Sequence, residues 1–186
     1  MGLSLSVSDL REAAGALLDG RLSAGMVVLF RRLAHPIVGE DRDWAFYKGL
    51  KLMALDGTTV EVPDTPKNHK FFGRPKGGKK ESAWPMVKIV TLIEVGVRMT
   101  VDAYVGPYRT AEKSGAIRLM RSLKKGMLLL WDRGFVGYEL FKRASCTGAH
   151  VLGRLQSHMV FEPIETFRDG SFLASRVRTT GLASCV

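Results

Sequence analysis

The sequence is poor in cysteine: of 186 residues only Cys146 and Cys185 carry a thiol. Two are too few for a disulfide framework and have no zinc-ligand spacing, so reduced thiols in a cytosol are expected. Long apolar runs are missing as well. Near the start the longest, Met26 to Phe30, is cut off by Arg31 and Arg32, well short of the roughly 18 residues that a bilayer crossing needs. No signal-peptide layout opens the chain, and there is no internal repeat or low-complexity tract. Neither a Gly-x-Ser-x-Gly element nor a phosphate-loop pattern occurs, and Cys146 has no recognisable partner base, which disfavours covalent hydrolase chemistry. His69, His150 and His158 lack paired ligand spacing, and His35 stands before Pro36 as a helix-end residue. What survives these exclusions is a soluble intracellular protein with no membrane partner, of ordinary globular composition at 46% hydrophobic and 25% charged residues.

Acidic residues are outnumbered. Lys and Arg total 28 against 18 Asp and Glu, a net charge of +10, and a balance of this kind points toward polyanions or toward a merely solubilising surface.

The first fifty residues read as helical. One helix is capped by Ser6 or Ser8 and runs to Leu18; a second runs from Ser23, with Met26, Val27, Phe30 and Leu33 on one face, until Pro36 ends it. A polar turn at Gly39 to Asp43 marks the boundary of the main domain. Strands are then predicted at Leu52–Leu55, Thr58–Val62, Val87–Val95, Met99–Val105, Met127–Trp131 and His150–Leu155. Helices are predicted from a Thr110 cap to the Gly126 stop and over Tyr138–Cys146. The order specifies an α/β sheet with an antiparallel side and a parallel side. The expected division is a helical segment 1–43, a core 44–156, and a tail 157–186 that opens a β-rich insertion and ends irregularly.

Two aspartates occupy the same station, each directly after an apolar strand: Asp56 after Leu52–Leu55 and Asp132 after Met127–Trp131. Ligands of open α/β sheets bind at the carboxyl ends of central strands. Two carboxylates meeting there repel each other unless a cation lies between them, and a hard divalent ion such as Mg²⁺ answers that need. Asp56-Gly57 is equally a hairpin signal, and Asp132-Arg133-Gly134 equally a turn.

A second constellation is a mobile, glycine-containing basic loop carrying Lys67, Lys70, Arg74, Lys76, Lys79 and Lys80 with no acidic residue among them. Its cations suit phosphates, and Phe71 and Phe72 suit sugars or bases; the competing reading is a solvated loop whose phenylalanines enter the core. Arg118, Arg121, Lys124 and Lys125 read as the wet side of an amphipathic helix.

The stretches LMALDGTTV (Leu52 to Val60), PDTP (Pro63 to Pro66), GPYRT (Gly106 to Thr110), LLLWDRGF (Leu128 to Phe135) and YEL (Tyr138 to Leu140) together resemble bacterial insertion-sequence transposases of the group named for insertion sequence four. The likeness runs from the second helix to about Ala174. It implies a ribonuclease-H-like mixed sheet with flanking helices, a DDE catalytic triad, two divalent ions (Mg²⁺ or Mn²⁺), and DNA strand cleavage and transfer at insertion-sequence ends in a bacterial cytoplasm, at the nucleoid. Asp56 matches the first family aspartate and Asp132 the second, at a separation of 132 − 56 = 76 residues.

The third family carboxylate, a Glu in a Tyr-x-x-Arg-x-x-x-Glu pattern, has no match. The acids after Asp132 are Glu139, Glu162, Glu165 and Asp169, none in that context. The expectation is a truncated transposase with an incomplete two-metal site. The rival is a non-catalytic DNA-binding remnant that interferes with an intact transposase by occupying its DNA ends or dimerising with it; a homodimer is a further partner state. A third reading takes the missing acid from Glu139.

Overall fold

The structure, a computed structural model, describes residue 30 and residues 32–39, 42–77, 80–81, 84–157 and 159–174; at 76, 77, 80 and 81 it describes the backbone alone. The first expected helix and most of the second lie outside the described residues, as do Lys79, His158 and the irregular end from 175 onward.

Strand β1 (Phe46–Tyr47) folds back through Lys48-Gly49 onto β2 (Leu50–Glu61). The twelve residues of β2 run without a break through Asp56-Gly57, so the two strands expected there are one. A hairpin at that point needs positive φ on its central residues, and neither residue has it. Instead Met53 to Glu61 are paired residue for residue with a neighbouring strand, and Thr58, Thr59 and Val60 suit extended backbone.

Helix α1 (Pro66–Phe72) begins at Pro66 behind a Thr65 cap whose side chain accepts the Asn68 N–H. A small hairpin, β3 (Lys76–Gly77) with β4 (Lys80–Glu81), follows. The basic segment expected as a loop is thus a short helix and a two-stranded ribbon.

Strands β5 (Met86–Glu94) and β6 (Met99–Pro107) form an antiparallel hairpin, and helix α2 (Glu112–Leu119) follows. Its N-cap is Ala111 rather than Thr110, and its last turn tightens to 3₁₀ geometry over Met120–Ser122. That tightening falls where Arg121 and Ser122 both reach the buried Asp102, so Lys124 and Lys125 lie beyond the helix instead of inside it. Strand β7 (Met127–Trp131), helix α3 (Tyr138–Cys146) and strand β8 (His150–Gly153) complete the core, and a separate hairpin pairs β9 (Pro163–Thr166) with β10 (Phe172–Ala174). Cys146 is disulfide-bonded, contrary to the expected free thiol.

Among the described residues the main sheet has six strands, ordered β6-β5-β2-β7-β8 with β1 on β2. Strand β5 is antiparallel to both neighbours while β2, β7 and β8 run parallel, which is the ribonuclease-H-like arrangement. Alternation along the strands divides the sheet into two faces. On one, Met53, Leu55, Val90, Leu92, Leu129 and Trp131 bury against Ala116 and Leu119 of α2 and Leu140 and Ala144 of α3. On the other, Val60, Val87 and Ile89 bury against Phe72 of α1. Trp131 packs so closely over Gly153 that an ideal Cβ there would lie 1.9 Å from the indole Nε1.

Candidate metal centre and its basic flank

The relation between the two aspartates follows from strand register. Across the parallel β2–β7 pair, Lys51 faces Met127 and Ala54 faces Leu130, an offset of 127 − 51 = 76 residues. The same 76 residues separate Asp56 from Asp132, each two positions past the last pair of the ladder, and Asp132 keeps extended dihedrals (φ −84°, ψ 177°). Neighbouring strands lie about 4.8 Å apart, and residues opposite one another project from the same face. Both carboxylates therefore belong to the face away from α2 and α3, the one carrying Ala54 and Leu130. Both residues are exposed.

Each acid is oriented by backbone. Asp132 caps the 3₁₀ turn Arg133–Phe135, its Oδ1 accepting the Gly134 N–H at 2.8 Å, and Asp56 Oδ1 accepts the Gly57 N–H at 2.8 Å. Neither is ion-paired among the described residues. Two hard oxygen donors on one face with no neutralising cation fit a divalent ion of the Mg²⁺ class. Among the described residues, however, no group of three or more His, Cys, Asp or Glu converges. Glu139 is engaged elsewhere, on the exposed side of α3, accepting from Arg143 Nε at 2.6 Å.

The basic residues are not equivalent. Lys67 and Lys70 are exposed on α1. Arg74 is paired with Asp64 at 2.5 Å, an acid just outside the basic run. Lys76 and Lys80 sit on β3 and β4, and Lys79 lies outside the described residues. The two phenylalanines separate: Phe72 is buried under the sheet while Phe71 is 61% exposed, their rings meeting edge to face at 4.9 Å. Because Phe72 packs on Val60, α1 covers the same sheet face that carries Asp56. Val60 is four residues along β2, a rise of about 13 Å.

Of the basic α2 region, Arg121 is not a solvated bystander. Its Nε and Nη2 hold the buried Asp102 carboxylate at 2.9 and 2.8 Å, and the hydrogen bond to Asp102 holds the Arg121 guanidinium above its ordinary pKa. Sequence reasoning missed Glu112 and Lys113, which open α2. Glu112 packs against the Cα of Gly57 and pairs with Lys88 at 2.9 Å; the Lys113 Nζ donates to the Val136 carbonyl. An acid at the first turn of a predicted helix was the available signal.

The main sheet is mixed, and each of its two central parallel strands, β2 and β7, carries an aspartate after its apolar run. The chain belongs to the transposase DDE domain family, whose match spans residues 47–182; this family generally works with divalent metal ions. The chain is 28% identical over 140 residues to InsZ of Escherichia coli K12, a protein named as a transposase, covering 73% of this chain and 43% of InsZ. It is 30% identical over 102 residues to InsG of the same strain, the transposase of insertion sequence element IS4, covering 55% of this chain and 23% of InsG. It therefore spans less than half the length of either relative. Among solved structures, a piggyBac transposase synaptic complex with hairpin DNA matches with a TM-score of 0.38 and 11% identity, over 58% of this chain and 23% of that one. Among the described residues, no helix is long and apolar enough to cross a membrane.

Proposed function

We propose that this chain carries the two-aspartate part of a DDE transposase active site and acts on DNA, with Asp56 and Asp132 as ligands of Mg²⁺ or Mn²⁺. The observation that supports it most is the 76-residue register offset of β2 and β7, which equals the separation of the two acids. The chemistry a divalent ion supplies at such a site is Lewis-acid charge for in-line displacement at phosphorus, with no covalent protein intermediate. Asp132, held by the Gly134 N–H, and Asp56 supply the oxygen donors. Lys67, Lys70, Arg74, Lys76, Lys79 and Lys80 contact DNA phosphates in this reading, Lys67 and Lys70 from α1, and exposed Phe71 offers a ring for a base or sugar.

The chain by itself is catalytically incomplete in this reading, because two donors hold a pair of ions weakly. The core 44–156 does this work, with 1–43 and 157–186 as flanking segments. The interfering DNA-binding remnant draws on the same observation that no third acid converges among the described residues; it differs only in needing no metal, and it admits a dimer with an intact transposase.

Mn²⁺ titration and DNA binding on the Asp56→Asn, Asp132→Asn double variant separate the two. Lost Mn²⁺ binding with retained DNA binding is expected. Undiminished Mn²⁺ binding by the variant removes the metal assignment, and strand transfer by the 186-residue chain at the level of a full-length relative removes the incompleteness.

A further inference from the structure

Two consecutive residues of α2 each grip one of the acid-bearing segments. Glu112 reaches down on the side of β2 opposite Asp56. An ideal Cβ at Gly57 would lie 2.9 Å from the Glu112 Cδ and 3.1 Å from its Oε2, so the carboxyl end rests on the Gly57 Cα, and Glu112 Oε1 takes a 2.9 Å contact from Lys88 Nζ. Lys88 stands on β5 opposite Thr59, so Glu112 is tied to β2 and β5 just past Asp56. Lys113 turns the other way. Its Nζ donates to the carbonyl of Val136, the residue that closes the 3₁₀ turn begun by Asp132, and its stem runs 3.8 Å from where a Gly137 Cβ would sit.

Adjacent residues at one helix end thus anchor both aspartate stations, which lie 76 positions apart in sequence. We propose that Glu112 and Lys113 are positioning residues: a two-armed brace that fixes the spacing of Asp56 and Asp132 and so sets the affinity of the chain for a divalent cation. This rests on the reading of Asp56 and Asp132 as metal ligands. The parallel ladder between β2 and β7 ends at Ala54 and Leu130, before the acids; beyond it each segment is held by its outer neighbour, β2 by β5 and β7 by β8, and α2 packs behind both. Gly57 answers the same demand, since any side chain there would push Glu112 away.

The test is Mn²⁺ binding to the whole chain, followed by electron paramagnetic resonance, together with thermal denaturation of every variant. Wild type should bind, and Asp56→Asn and Asp132→Asn should lose binding. Lys113→Met should weaken binding about tenfold, the scale on which outer-shell partners act, with Lys113→Arg restoring it and the denaturation midpoint unchanged between the two. Glu112→Gln, which keeps the shape over Gly57 and loses the Lys88 pair, should weaken it less. If Lys113→Met does not fold, Lys113→Gln, which retains a shorter donor, takes its place. Wild-type affinity in the Lys113 and Glu112 variants, with binding still lost in Asp132→Asn, overturns the brace and leaves the metal reading standing. Wild-type binding that ignores both aspartate substitutions overturns the metal reading and the brace with it.

Discussion

Glu94 is wholly buried and receives Lys51 Nζ at 3.0 Å, while its two oxygens accept the backbone N–H groups of Ile37 and Val38 at 2.8 and 3.2 Å. Lys51 also donates to the Val38 carbonyl. One buried ion pair thereby fastens the segment ahead of β1 to the first and second long strands of the sheet.

Removing one partner from such a pair leaves a buried charge uncompensated, at roughly 3–5 kcal/mol. Lys51→Met should therefore lower chemical-denaturation stability by about 3 kcal/mol, since Glu94 keeps its two backbone donors. Hydrogen exchange at the Ile37 and Val38 amides should rise sharply in Glu94→Ala; unchanged protection there would show that the segment is held by other contacts.

The Arg121–Asp102 pair behaves differently because Arg121 is half exposed while Asp102 is buried. Arg121→Met should cost about 2 kcal/mol, below the loss for a fully buried pair, with Ser122 still donating to Asp102. The Arg121 pKa, raised by its hydrogen bond to Asp102, contributes stability that is fully present below the ordinary guanidinium range and is lost only above it. Urea titrations of wild type and Arg121→Met should therefore show the same stability difference at pH 6 and at pH 9.

Gly153 accommodates the Trp131 indole. A methyl group there forces the ring from its place against Phe141, centroids 6.4 Å apart, and overpacking of this kind costs about 1–3 kcal/mol. Gly153→Ala should lower the thermal midpoint and alter the tryptophan fluorescence, whereas Gly170→Ala, with open space around it, should leave the fluorescence alone.

For DNA, the exposed cations of α1 make a quantitative expectation. Each phosphate contact contributes about −0.9 to the slope of log affinity against log salt. A Lys67→Ala, Lys70→Ala variant should thus flatten the slope by about 1.8 on duplex DNA. Arg74→Ala should flatten it less, since its guanidinium is shared with Asp64. An unaltered slope in the lysine variant removes α1 from the interface.

Periodicity and composition located the elements well wherever a run was long and of one kind. Tyr138–Cys146 and Met127–Trp131 have the bounds read from the sequence, and the β5–β6 hairpin falls within a residue or two. They failed where a local signal competed with a distant partner. Asp56-Gly57 carries a turn signature, but nine consecutive pairings with β5 outweigh it. Phe71 and Phe72 are indistinguishable in the chain, and the helical offset of about 100° between neighbours is what sends one inward and one out. Glu94 and Asp102 are lone acids within apolar strand runs, and only the fold brings Lys51 and Arg121 to them.

The acid stations themselves were written in the chain, because an apolar strand followed by aspartate is a local pattern that needs no knowledge of its neighbours. That β2 and β7 lie alongside each other with an offset of 76 residues, and that Glu112 packs on Gly57 while Lys113 reaches the Val136 carbonyl, came from folding alone. Strand register is set by long-range pairing and by the packing of α2 and α3, and no short window of residues encodes which distant strand lies alongside.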